Sequence, residues 1–144
     1  MGRRQKKPTT KGSQGYNRNN SEDFLSKNAL KTDVWVTESG LQCEVIDASD
    51  SEEKPLIHQA VRVHQRITLI DGSIIDDTYK QAVPAEFLLE EAIPGYQEGL
   101  LMMTLDSRYR FFIPSDLAWG KRGAGKKIGP YAALIIDVRL LHIA

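Results

Sequence analysis

One stretch of helical periodicity, isolated among segments that alternate like strands, limits what this chain can fold into. Tyr96, Leu100 and Met103 fall at i, i+4 and i+7, and Pro94 suits a first helical turn. Around it, residues 34–37, 41–46, 60–70, 74–75, 85–89, 108–113 and 133–143 are β-rich. A lone helix cannot supply the repeated crossovers that a parallel sheet needs, so βαβ architectures are excluded. The expected class is α+β: a curved antiparallel sheet, a half-barrel, wrapped around one short α-helix.

Two strands carry clear patterns. Val61, Val63, Ile67 and Leu69 share one face of residues 60–70, while Arg62, His64, Arg66 and Thr68 share the other. Gln65 interrupts the apolar face. Leu134, Ile136, Val138 and Leu140 line one face of the last strand. Asp71-Gly72 and Ser39-Gly40 mark turns. Ser21, followed by Glu22 and Asp23, reads as an N-cap for a short helix ending near Leu30.

Charge divides the chain unevenly. Formal net charge is zero over 144 residues, yet the first 20 hold six basic side chains and no acidic one. The remaining 124 carry 13 basic and 19 acidic residues. Residues 1–20 also lack apolar periodicity, so they read as a disordered basic arm. Residues 21–31 then form a helical lead-in, and residues 32–144 the domain. Through residues 3–18 such an arm suits nucleic acid, the ribosome or an anionic lipid surface; the other reading is a solvated terminus.

Several function classes drop out. No apolar run approaches the roughly 20 residues of a membrane-spanning helix. Cys43 is the one cysteine, so no internal disulfide forms, and no apolar segment follows the charged start as in a secretory leader. The location expected is cytoplasmic. His58, His64 and His142 have no metal-ligand spacing, and His64 and His142 fall on polar strand faces, where exposure is expected. Residues 120–127 (GKRGAGKK) imitate a phosphate-binding loop, but Lys127 stands where a hydroxyl is needed and Gly129-Pro130 precludes the following helix. Asp76-Asp77 and Glu90-Glu91 read as solvated turns without a partner base.

Three spaced blocks are more specific: IPGYQEGL (93–100), PSDLAWG (114–120) and IGPYAALIIDVRLL (128–141). Upstream stands DGSIIDDTY (71–79), with Phe24-Leu25 and SGLQ (39–42) before it. Their order and spacing over residues 22–143 resemble the FKBP-type peptidyl-prolyl cis–trans isomerases, most closely the Mip/FkpA branch. The resemblance implies the half-barrel already read from periodicity, with an apolar pocket between sheet and helix for a prolyl ring. Its floor would be Tyr96, where the family most often has Trp. Its walls would be Ile75, Phe87, Ala92, Ile93, Trp119, Ile128 and Ile136, with Asp76 as the pocket carboxylate. The Ile93 backbone N–H would hold the substrate carbonyl.

The implied activity is isomerisation of X–Pro bonds in peptides or unfolded proteins, without cofactor or metal. Departures from the family pattern bear on its strength. Gln65 stands where Tyr is usual, and Ile75 and Ile136 replace Phe. A wider, less aromatic pocket is therefore expected, with weak binding of macrolides such as rapamycin. A second reading is an FKBP-fold chaperone or binding module of low turnover, associated with nucleic acid or the ribosome through the arm. The branch usually dimerises through a long N-terminal helix; with a lead-in of about ten residues, a monomer is expected.

Overall fold

The computed structural model describes residues 14–144. Among them, seven strands form one sheet: β1 (Trp35–Val36), β2 (Gln42–Asp47), β3 (Ala60–Leu69), β4 (Ile74–Asp77), β5 (Ala85–Leu88), β6 (Arg108–Ile113) and β7 (Leu134–Ile143). Their order is β1-β2-β6-β7-β3-β4, with β5 also paired to β3, and every pairing is antiparallel. Helices α1 (Gln14–Asn28), α2 (Thr78–Gln81) and α3 (Pro94–Met102) complete the fold. The expected architecture is present.

Alternation on β3 and β7 produces the core directly. Val61, Val63, Leu134, Ile136, Val138 and Leu140 are all buried, and Ile136 pairs with both Ile67 and Phe111. The hairpin from β3 to β4 turns where Asp71-Gly72 demands it. Gly72 has φ 91, and the Asp71 carboxylate accepts the Ser73 N–H at 2.9 Å. That bond holds the Asp71 carboxyl below its ordinary value.

Helix α3 lies across the inner face, burying Tyr96 and Leu100, with Met103 buried just beyond its end. Its backbone comes close to β6 because two residues of its inner side are glycines. A Cβ on Gly95 would stand 2.5 Å from Ile113 Cγ2, and one on Gly99 would stand 2.7 Å from Phe111 Cζ. Consecutive residues of β6 point to opposite faces. Phe111 enters the core, and Phe112 meets Phe24 of α1 with ring centroids 6.1 Å apart.

Helix α1 begins at Gln14 and not at Ser21, so residues 14–20 of the expected arm are helical; residues 1–13 lie outside those described. Ser21 does not cap the helix but sits in its middle, buried. Its hydroxyl donates to the Tyr131 carbonyl at 2.9 Å and accepts the Ala133 N–H at 3.1 Å. Asn17, Ser21, Phe24 and Asn28 form the stripe that docks, with Asn17 donating to the Pro130 carbonyl and Asn28 to Gln42 Oε1. A mostly polar stripe leaves no hydrophobic periodicity, which is why the sequence pattern misses the helix. Ser21→Ala leaves the buried Ala133 N–H without its acceptor. It should lower the free energy of urea unfolding by about 1–3 kcal/mol; an unchanged midpoint would show that α1 docks without it.

Two smaller expectations also change. His142 is exposed, but His64 is half-buried, its ring stacked on Tyr79 at 5.1 Å and its Nδ1 2.9 Å from Thr78 Oγ1. A carboxylate of the presumed turns has a structural duty too. Asp77 caps α2 by accepting the Lys80 N–H at 3.2 Å.

Candidate active site

The first turn of α3 organises the site. Pro94 occupies its first position with φ preset, and Ile93 stays extended before it. The Ile93 carbonyl accepts the N–H groups of Tyr96 and Gln97, both at 3.0 Å. Its own N–H has no partner among the described residues. That turn swings Tyr96 inward until only 5% of it is exposed.

A chain of hydrogen bonds leads from Tyr96 to the pocket carboxylate. The Tyr96 hydroxyl donates to Gln65 Oε1 at 2.7 Å, and Gln65 Nε2 donates to Asp76 Oδ2 at 2.8 Å. Burial, with the nearby Tyr79 and Asp76 charges adding, pushes the Tyr96 phenol well above its ordinary pKa. The phenol therefore stays protonated and remains the donor. Gln65, the residue that breaks the apolar face of β3, is 8% exposed and has both ends of its amide engaged.

Around this chain stand the apolar residues. Phe87, paired with Val61 across β3 and β5, tilts against Tyr96 with centroids 5.6 Å apart. Ile128 and Ile136 are buried in the same cluster, and Ile75, Phe87, Ala92 and Ile93 pack against it half-buried. Trp119 differs. It is 45% exposed, lies outside that cluster, and follows by two residues Leu117, whose Cβ approaches the Gly95 position. The structure thus joins Gln65, Asp76, Tyr96 and Phe87 directly, and leaves the indole at the surface.

Thr78 is a residue that sequence reasoning passed over. Its hydroxyl accepts the Gln65 N–H at 2.7 Å and donates to the Gln65 carbonyl at 3.3 Å, which fixes the backbone bearing the central amide. The signal was available in Asp77-Thr78, a carboxylate cap followed by a small hydroxyl at a strand end. No nucleophile stands in the site. The thiol of Cys43 is fully buried, and burial with the nearby Glu98 charge pushes it up to about 12. What the arrangement offers is a buried aromatic floor, one N–H without a partner among the described residues and one anchored carboxylate.

Comparison with known proteins identifies the family. The sequence profile of FKBP-type peptidyl-prolyl cis-trans isomerases matches residues 51–141, and that of the domain amino-terminal to such isomerases matches residues 1–45. The chain belongs to the FKBP-type peptidyl-prolyl cis–trans isomerase family. It is 42% identical over 127 residues to the FKBP-type isomerase FkpA of Aeromonas hydrophila, covering 88% of this chain and 47% of the relative. It is likewise 42% identical over 120 residues to the 22 kDa FKBP-type isomerase of Escherichia coli, covering 83% and 58%. The crystal structure of FkpA from Escherichia coli superposes with a TM-score of 0.85 at 32% identity, covering 90% of this chain and 60% of that one. The chain spans about half the length of the curated relatives it matches.

Proposed function

We propose that this chain is a peptidyl-prolyl cis–trans isomerase acting on X–Pro bonds of peptides and unfolded proteins. The carrying observation is the Ile93 N–H, without a partner among the described residues, at the start of the helix that buries the Tyr96 floor. An X–Pro bond rotates over about 18–20 kcal/mol because twisting the amide breaks its resonance. The twisted amide is less polar than the planar one, so an apolar floor favours it over the ground state. An N–H fixed at the helix start can hold the substrate carbonyl while the prolyl ring stays seated. Neither covalent intermediate nor cofactor enters such a step.

Gln65, Ile75 and Ile136 leave Phe87 as the aromatic wall against Tyr96. Macrolides such as rapamycin should accordingly bind weakly. The test is catalysis of isomerisation in a short prolyl peptide, together with proline-limited refolding of an unfolded protein. Trp119→Ala, at an exposed position, should lower kcat/KM about tenfold without lowering stability, a loss of about 1.4 kcal/mol in the transition state. Tyr96→Ala should lose at least as much, and Tyr96→Phe should retain most of the rate by keeping the ring. Full activity in both alanine variants would dismiss the pocket.

A further inference from the structure

Between α1 and the outer face of the sheet lies a cavity of about 300 Å³, at the lower end of the range that small-molecule sites occupy. It shares no residue with the prolyl pocket. Strand register lays its sheet side out in two neighbouring rows. Phe112, Ile135 and Thr68 pair in turn across β6, β7 and β3, and Arg110, Asp137 and Arg66 form the row beside them. Phe24 of α1 meets the first row, its ring 6.1 Å from that of Phe112, and Lys31 joins the lining from the turn after the helix. The space stays open because of where α1 is anchored. Asn28 ties its last turn to Gln42 of β2, Ser21 ties its middle to residues 131 and 133, and no hydrogen bond ties it to β3 among the described residues.

The charges here do not cancel. Asp137 is engaged by Arg108, which donates to it at 2.8 and 3.0 Å, and by Arg110 at 3.2 Å. Arg110 also meets Glu44 at 3.5 Å. Arg66 meets Asp77 only at 3.7 Å, with half of its side chain exposed. Lys31 forms no ion pair among the described residues. The cations of the cavity and their ion-pair partners thus set four positive groups against three carboxylates, a surplus of one. The Thr68 hydroxyl, with no hydrogen bond among the described residues, is a further donor on the same lining.

We propose that this cavity binds a monoanionic carboxylate with an apolar body, the acid group taken by Arg66, Lys31 and Thr68 and the body laid against Phe24, Phe112 and Ile135. A guanidinium presents its N–H groups as a fork that matches the two oxygens of a carboxylate. Two phenyl rings and an isoleucine then bury the ring or branched chain that follows the acid. A phosphate dianion suits the place less well, because it brings two charges to a surplus of one and Asp137 shares the lining. A free small acid and the C-terminus of a peptide ending in an apolar residue share this chemistry. The site stands apart from the isomerase reading in its residues and its sheet face, and its test reads binding and not turnover.

The experiment is an amide NMR titration of the full chain with 4-phenylbutyrate, with its neutral counterpart 4-phenylbutanamide, and with acetate. At ordinary ligand efficiency an acid of about 12 non-hydrogen atoms binds with a Kd of about 2 mM. Its saturable shifts should centre on Phe24, Lys31, Arg66 and Ile135. The amide, which lacks the charge, and acetate, which lacks the body, should each bind about tenfold more weakly. The variant K31Q/R66Q, altered at two exposed positions, should weaken 4-phenylbutyrate about tenfold with unchanged circular dichroism. A pentapeptide ending in phenylalanine, its terminus free or amidated, separates the sources. Binding of the free form and not the amidated one extends the site to chain termini, and binding of the small acid without the peptide confines it to small acids. The proposal is overturned by equal binding of the neutral amide, by an unaffected K31Q/R66Q variant, or by shifts centred on Ile93 and Tyr96. Absence of saturation by about 20 mM, ten times the expected Kd, overturns it as well.

Discussion

Replacing Phe111 by alanine should lower the free energy of unfolding by about 3–5 kcal/mol, among the largest effects open to a single substitution here. The ring is 0% exposed, stacks on Tyr109 at 5.7 Å, and lies beneath the close approach of α3 at Gly99. Its strand neighbours are Cys43 on β2 and Ile136 on β7, so nothing beside it is free to collapse into the space. The same contact predicts non-additivity. Gly99→Ala alone drives a Cβ to 2.7 Å from the ring and should cost about 1–3 kcal/mol. In the Phe111→Ala background that methyl enters vacated space and adds helix propensity of about 1 kcal/mol, so the double variant should be more stable than Phe111→Ala. Urea unfolding of the four proteins measures this; simple additivity would place α3 farther from β6.

The sheet was legible because its information is local. Alternation along residues 60–70 and 133–143 reports burial residue by residue, and Asp71-Gly72 can hardly be anything but a turn. Helix α3 was legible for the same reason, through Tyr96, Leu100 and Met103. Helix α1 was not. It docks through Asn17, Ser21 and Asn28 on carbonyls and amides of residues 42 and 130–133, and such bonds have no signature in hydropathy. Ser21 misled twice, because a hydroxyl before two carboxylates is a valid cap signal until a tertiary backbone claims it. His64 went the same way, taken for exposed because the partners that cover it, Thr78 and Tyr79, come from another segment.

In the candidate site, legibility ends where residues must be related across the sheet. Gln65 announced itself as a polar residue on an apolar face, and Asp76 and Tyr96 entered through family resemblance. That the three form one hydrogen-bonded chain depends on the β3–β4 register, where Arg66 faces Asp77 and Ile67 faces Asp76 before the ladder shifts between Ile67 and Thr68. Neither spacing nor composition encodes that register. The amide also alters the physical picture of a site with less aromatic surface. Where two rings would pack, a buried amide now orders a phenol and a carboxylate, at the cost of having to remain fully bonded.

That requirement leads to a strong alkaline sensitivity. Burial pushes the Cys43 thiol from its ordinary 9.0 up to about 12 in the folded chain, and likewise raises the Tyr96 phenol well above its ordinary 10.0. Above pH 9 the unfolded chain therefore releases protons that the folded chain retains. The folded state binds more protons, so stability falls as pH rises, by about 1.4 kcal/mol per pH unit for each such group. Cys43 acts from pH 9, which gives a loss of about 3 kcal/mol by pH 11, and Tyr96 steepens the decline above pH 10. Below pH 9 both groups are protonated in both states and contribute no slope. Urea unfolding between pH 8 and 11 should show this, and Cys43→Ala should flatten the first unit of the decline while leaving the Tyr96 share. Parallel declines in wild type and variant would remove the thiol from the account. Because Tyr96 keeps its proton for as long as the fold persists, catalysis should fade together with the folded fraction. An earlier fall in kcat/KM, at a pH where the chain is still folded, would mean that the phenol of the pocket floor meets water.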